Sequence, residues 1–333
     1  MLTLLLPALA IIIGFALLIW SADKFVLGAS NTARSFSISP LIVGVVIVGL
    51  GTSAPEMLVS AIAAAQGNTG LSIGNAIGSN ITNIGLMLGV TAIFYPLHIH
   101  SKLLKREMPL LLALILSSLF LLWDQKLGFL DGLILLTMMV FMLIYSAWEA
   151  KSHNTDSLPQ EILDELPEEV SKGEALKWLV IGIVLLIASS RLLVWGAVDV
   201  AQYFGISDLI IGLTIVAIGT SLPELAATLA AARKKEFDLA VGNIIGSNIF
   251  NILGVMALPG LIHPDNFDSE VLTRDYPVMI ALTVALIIFS IAWRKGKTGV
   301  LGRVEGGMLL TGYIAYMLWL FKDMSGAASP PLF

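Results

Sequence analysis

The sequence predicts an all-α membrane protein of about ten transmembrane helices, arranged as two inverted-topology five-helix repeats. Two observations of composition and one of pattern support this. The 333 residues are 57% hydrophobic and only 13% charged, whereas about a quarter of residues are charged in a soluble globular domain. Mean hydropathy is +0.89, and the apolar residues fall in runs of the length a helix needs to cross hydrocarbon. The two halves also repeat each other at a constant offset of 168 residues, from Glu56 to Glu224 and from Asn83 to Asn251.

The apolar spans are 3–21, 40–66, 70–95, 108–123, 128–148, 175–195, 208–232, 238–261, 276–293 and 300–321. The first lacks the positive start and small-residue cleavage site of a signal peptide, so it reads as a retained helix. The first five spans (1–148) and the last five (175–333) flank an acidic stretch, 149–174, punctuated by Pro159 and Pro167. That stretch reads as a solvated linker.

Lys and Arg favour the cytoplasmic side of a membrane. They gather in the odd-numbered connections, at Lys24 and Arg34, Lys102 to Arg106, Lys151 to Lys177, Arg233 to Lys235, and Arg294 to Arg303. Both termini are therefore expected outside the cell inner membrane and the linker inside. Trp20, Tyr95, Trp148 and Trp293 stand near span ends as interfacial anchors. The net charge of −5 identifies no partner and nothing points to nucleic acid. The absence of cysteine excludes disulfides, thiolate metal sites and cysteine nucleophiles.

The repeat is ungapped. Residues 40–56 read PLIVGVVIVGLGTSAPE and 208–224 read DLIIGLTIVAIGTSLPE, followed by GNAIGSNITN (74–83) and GNIIGSNIFN (242–251). With five helices per half, equivalent segments enter the membrane from opposite sides. This is the design of many secondary transporters, whose sites lie at the midplane between the repeats.

Glu56 and Glu224 interrupt spans that are otherwise apolar. A buried carboxylate at membrane depth marks an ion path or a pair with a basic residue. No Lys or Arg falls near midspan, and only Arg191 lies appreciably within a span. Pro55 and Pro223 each follow a glycine by four positions, Gly51 and Gly219. Proline lacks the N–H that this carbonyl would accept, so the helix opens and carbonyls around Gly49 to Thr52 and Ala217 to Thr220 become free for ions. Thr52 and Glu56 share a helix face by spacing, as do Thr220 and Glu224, Ser79 and Asn83, and Ser247 and Asn251. Ca²⁺ takes six to eight oxygens, and two glutamates with such neutral oxygens suit it better than a transition metal. The glycine pairs 74/78 and 242/246 allow close helix approach. The four histidines sit in loops or span ends, which argues against an intramembrane hydrolase. No enzyme activity and no cofactor are expected.

The doubled motif GTSAPE and GTSLPE, each followed by GNxIGSNIxN, resembles the two α-repeats of the cation/calcium exchanger superfamily, above all small prokaryotic sodium/calcium antiporters. The resemblance covers nearly the whole chain. It implies that Glu56, Glu224 and the carbonyls of Thr52 and Thr220 hold Ca²⁺. It further implies that Ser53, Ser79, Ser221, Ser247 and the Ala217 carbonyl serve flanking Na⁺ positions, with Asn83 and Asn251 lining the middle. The implied mechanism is alternating access, helices 1 and 6 sliding past the other eight. Potassium-dependent relatives carry Asp where this chain has Asn251, which bears on Na⁺ stoichiometry. A proton/calcium antiporter is the alternative, but that branch shows Gly-Asn-x-x-Glu where this chain has Gly-Thr-Ser-x-Pro-Glu. A Ca²⁺ channel fits an inverted duplicate less well.

Overall fold

The computed structural model describes residues 2–36, 43–99, 106–152, 170–203, 217–291 and 299–327. The helices are α1 (Leu2–Ser35), α2 (Gly49–Thr52), α3 (Ala54–Ala65), α4 (Thr69–Thr82), α5 (Gly89–Phe94), α6 (Met108–Leu121) and α7 (Phe129–Ser152). The second half supplies α8 (Lys172–Tyr203), α9 (Ala217–Thr220), α10 (Leu222–Arg233), α11 (Phe237–Phe250), α12 (Ala257–Ile262), α13 (Tyr276–Ser290) and α14 (Arg303–Ala327). Wide i→i+5 turns at Val43–Val48, Asn83–Leu88, Asn251–Val255 and Val271–Asp275 continue the neighbouring helices. Among the described residues seven helices are long and apolar enough to cross a membrane, or eight when the segments on either side of Ser53 count as one bent span.

Several boundaries differ from those expected. The first span was expected to end near residue 21, with Lys24 in a loop, but α1 runs unbroken to Ser35. Ser21, Asp23 and Lys24 look like a terminus in the sequence. Phe25, Val26 and Ala29 then resume the apolar face and are fully buried. Trp20 consequently lies within the helix, edge-on to Trp178 at 6.0 Å between ring centroids. The sixth span is likewise longer, Lys172 to Tyr203. Together α7 and α8 carry helix into both ends of the acidic stretch, and its centre, 153–169, lies outside the described residues. So do Lys102, Lys105, His100, Arg294 and the start of the second repeat motif, 208–216.

Two antiparallel strand pairs link loops of the two halves. Strand β1 (Leu97–Ile99) pairs with β4 (Gly299–Leu301), and β2 (Lys126–Leu127) pairs with β3 (Asp265–Asn266). The spans Thr69–Phe94 and Phe237–Ile262 are 72% and 89% buried, against 28% for the first span and 22% for the last. The repeat motifs therefore occupy the centre, and α1 lies against α8 at the side.

Glycine sets that second contact. Gly28 of α1 abuts the backbone of Trp178 and Leu179, and Gly182 of α8 abuts Phe25, so close that a Cβ at either position would overlap backbone. Helices in lipid gain little from hydrophobic burial and associate through such close packing instead.

Candidate functional site

The two Pro-Glu motifs sit at helix breaks. Ser53 separates α2 from α3 with φ −79° and ψ 2°, and the axes on either side differ by 48°. Ser221 separates α9 from α10 with φ −93° and ψ 8°. Pro55 and Pro223 fall in the first turns of α3 and α10, where a missing N–H is harmless to the helix that follows and breaks the one before. One expectation is corrected here. Thr52 and Glu56 lie on different segments, as do Thr220 and Glu224, because the interruption falls between them.

Both carboxylates are buried, Glu56 and Glu224 each 1% exposed, and they lie within electrostatic reach of each other. Ser221 Oγ donates to Glu56 Oε1 at 3.2 Å, so the second motif reaches the first. Ser247 Oγ donates to Glu224 Oε1 at 3.5 Å and lies 3.2 Å from Thr52 Oγ1. Thr52 Oγ1 also donates to the Val48 carbonyl at 3.1 Å and lies 3.2 Å from Asn243 Oδ1. Asn83 Nδ2 donates to Asn248 Oδ1 at 3.0 Å. Of the other residues expected at the site, Ser53, Ser79 and Asn251 are buried and Thr220 is half-buried. Ala217 opens α9.

Oxygen dominates what is left over. Ser53 Oγ, Glu56 Oε2, Asn80 Oδ1, Asn83 Oδ1, Glu224 Oε2 and Asn251 Oδ1 are buried and accept no hydrogen bond. Buried polar atoms are nearly always paired, so these acceptors are candidates for cation ligands. Among the described residues no cluster of three or more His, Cys, Asp or Glu side chains could hold a metal. The donor set is two carboxylates with neutral oxygens, which fits hard cations rather than transition metals.

Four asparagines of the motifs were not singled out from the sequence, although GNxIGSNIxN displays them. Asn75 Nδ2 donates to the Glu56 carbonyl at 3.0 Å, and Asn243 Nδ2 donates to the Glu224 carbonyl at 3.3 Å. Asn80 and Asn248 donate to each other's carbonyls at 3.2 and 3.5 Å. These bonds hold the broken backbone and join the halves. A cavity of about 380 Å³, lined by Pro55, Ile62, Arg191, Gly219 and Thr220 among others, adjoins the motifs.

The model of one protein family, described as "Sodium/calcium exchanger protein", matches residues 6–148 and 175–322. The chain belongs to this family. It is similar to the putative antiporter CaxA of Alkalimonas amylolytica, 48% identical over 321 residues, covering 96% of this chain and 100% of that protein. Inner membrane protein YrbG of Escherichia coli is 42% identical, covering 96% and 98% of the two chains. The sodium/calcium exchanger MaX1 of Methanosarcina acetivorans is 32% identical, covering 94% and 98%. Among solved structures, the sodium–calcium exchanger NCX_Mj soaked with 10 mM Na⁺ and zero Ca²⁺ superposes with a TM-score of 0.81 at 33% identity, covering 95% and 99%. These relatives are transporters or membrane proteins by name, and this chain is a multi-helix membrane protein.

Proposed function

We propose that this chain exchanges Ca²⁺ for Na⁺ across the cell inner membrane by alternating access, with Glu56 and Glu224 as the charged ligands of one midplane site. The observation that carries the reading is the pair of buried carboxylates, each with an oxygen lacking any hydrogen-bond partner, each beside a proline-broken helix. Two negative charges balance one Ca²⁺, and the low dielectric makes an uncompensated pair costly. The carbonyls of Thr52 and Thr220 complete the Ca²⁺ position. Ser53, Ser79, Ser221, Ser247 and the Ala217 carbonyl serve Na⁺, and Asn83 and Asn251 line the centre between them.

The architecture proposed around this site is ten helices in two inverted repeats, 1–148 and 175–333, with 149–174 as a cytoplasmic linker and both termini outside. The reciprocal Asn80 and Asn248 bonds, between residues 168 apart, support a two-fold relation through the centre. So do the matched strand pairs, each joining one loop of either half. The glycine seam makes α1 and α8 a unit suited to sliding against the core.

The test is ⁴⁵Ca²⁺ uptake into proteoliposomes loaded with Na⁺ and diluted into medium free of Na⁺ and K⁺. Uptake should require the outward Na⁺ gradient, persist with a protonophore, and change little on adding K⁺. A proton gradient that drives uptake in place of Na⁺ would support the proton/calcium alternative. Uptake without any opposing gradient would indicate a channel.

A further inference from the structure

The geometry points to Arg191 as an electrostatic gate residue that lowers cation affinity on one side of the membrane, Ca²⁺ more than Na⁺; this rests on the exchange reading. Arg191 stands in α8, is exposed, and lines the 380 Å³ cavity together with Pro55, Gly219 and Thr220. Pro55 directly precedes Glu56, and Thr220 belongs to the second motif. On this proposal the cavity is the cations' route toward the carboxylates, and a cation taking it passes a guanidinium. Arg191 makes no ion pair with another described residue.

The repeat sharpens the point. The residue 168 positions earlier is Asp23, of opposite charge. Asp23 is ion-paired with Arg233 and accepts from Lys234 through its backbone carbonyl. At equivalent positions the duplicated chain thus carries an ion-paired anion on one helix and, on the other, a cation with no ion pair among the described residues. Symmetry alone would give both sides equal affinity, and Arg191 breaks it in a cavity that adjoins both motifs.

A cavity with low-dielectric walls focuses such a field, and a divalent ion feels it twice as strongly as a monovalent one. On the side to which this cavity opens, the field therefore favours Na⁺ entry and Ca²⁺ departure. Exchange needs this as much as it needs tight binding, because a cargo that binds too well is not released.

The experiment compares wild type, Arg191→Gln, Arg191→Lys and Ile62→Glu. Ile62 lines the same cavity, and Glu there adds an opposing charge while leaving Arg191 in place. The half-saturating ⁴⁵Ca²⁺ concentration is measured from each side in right-side-out and inside-out vesicles. Ca²⁺ binding to the protein in nanodiscs gives a second readout that does not depend on coupling. At low ionic strength R191Q and I62E should each lower the half-saturating Ca²⁺ on the cavity side by about three- to tenfold. Na⁺ half-saturation should move less, and R191K should match wild type. The shift should shrink as an impermeant salt is raised. Unchanged Ca²⁺ affinity in R191Q and I62E, an equal change on both sides, or a change that salt does not screen would overturn the assignment. Wild type that binds Ca²⁺ but never couples it to Na⁺ would instead sink the exchange reading, and the nanodisc comparison would still decide the role of Arg191.

Discussion

The two motifs are nearly the same sequence, yet their hydrogen bonds differ. Ser221 donates to Glu56, but its repeat mate Ser53, which symmetry would aim at Glu224, has no partner. Asn83 is tied to Asn248, whereas the symmetric bond would join Asn251 to Asn80, and the side-chain oxygens of both are unpaired. By contrast, the asparagine bonds to the Glu56 and Glu224 carbonyls are the same in both halves. The difference teaches which bonds are scaffold and which belong to one conformation. Bonds that preserve the two-fold relation hold the broken helices. On the alternating access proposed above, bonds that violate it are those to be exchanged when the site turns to the other side.

The sharpest way to break this comparison is at the carboxylates. Glu56→Gln and Glu224→Gln should each reduce Na⁺-driven ⁴⁵Ca²⁺ uptake by about a hundredfold or more, while the protein remains monodisperse. Losing one of two charges beside a divalent ion costs several kcal/mol, about 4 per unit charge at 4 Å and intermediate effective dielectric. Because both carboxylates would face one ion, the two losses should be alike. A variant that still transports well would remove its residue from the site and leave the other carboxylate as the sole charged ligand.

A smaller effect tests the asymmetric bonds. Ser221→Ala removes a hydrogen bond that orients Glu56, and bonds to charged groups contribute about 1.5–3 kcal/mol. Half-saturating Ca²⁺ should rise about tenfold, measured as uptake against external Ca²⁺. Ser53→Ala removes no bond present in this conformation and should change the Na⁺ dependence instead. Identical phenotypes would mean that the asymmetry carries no functional weight.

The features that mark the candidate site are visible in the sequence because their signals are local. A glutamate in an apolar span, a proline four residues after a glycine, and a constant repeat offset each carry their meaning in a few residues. Helix ends were harder. Asp23 and Lys24 read as a loop, yet α1 runs through them, because the side chains meet partners on other elements. Lys24 lies over the Trp178 ring at 4.9 Å, and Asp23 reaches Arg233. The supporting asparagines carry no such local signal, because their partners are backbone carbonyls of other helices. Whether Ser53 or Ser221 is bonded cannot be written in a duplicated sequence at all.

The smallest predicted effect concerns Asp23 itself, which joins α1 to the core at the C-terminal end of α10. Its pair with Arg233 is short, 2.5 Å, but the side chains are 31% and 51% exposed. An exposed pair of this kind is worth about 0.2–1 kcal/mol, enough to shift a two-state equilibrium up to about fivefold and no more. If α1 slides with α8, the pair holds one end of the sliding unit in the present arrangement, and Asp23→Asn should lower the population in which the Arg191 cavity is open. The chain has no cysteine, so a single cysteine at Ile62 on the cavity wall reports that population through its labelling rate with an impermeant thiol reagent. Asp23→Asn and Arg233→Ala should each slow labelling about two- to fivefold. The double variant should slow it no further, since either change removes the same interaction. The swap of Asp23 to Arg with Arg233 to Asp should restore it in part. Additive slowing in the double variant would show that each residue acts separately, and an unchanged rate would show that α1 is not held by this pair.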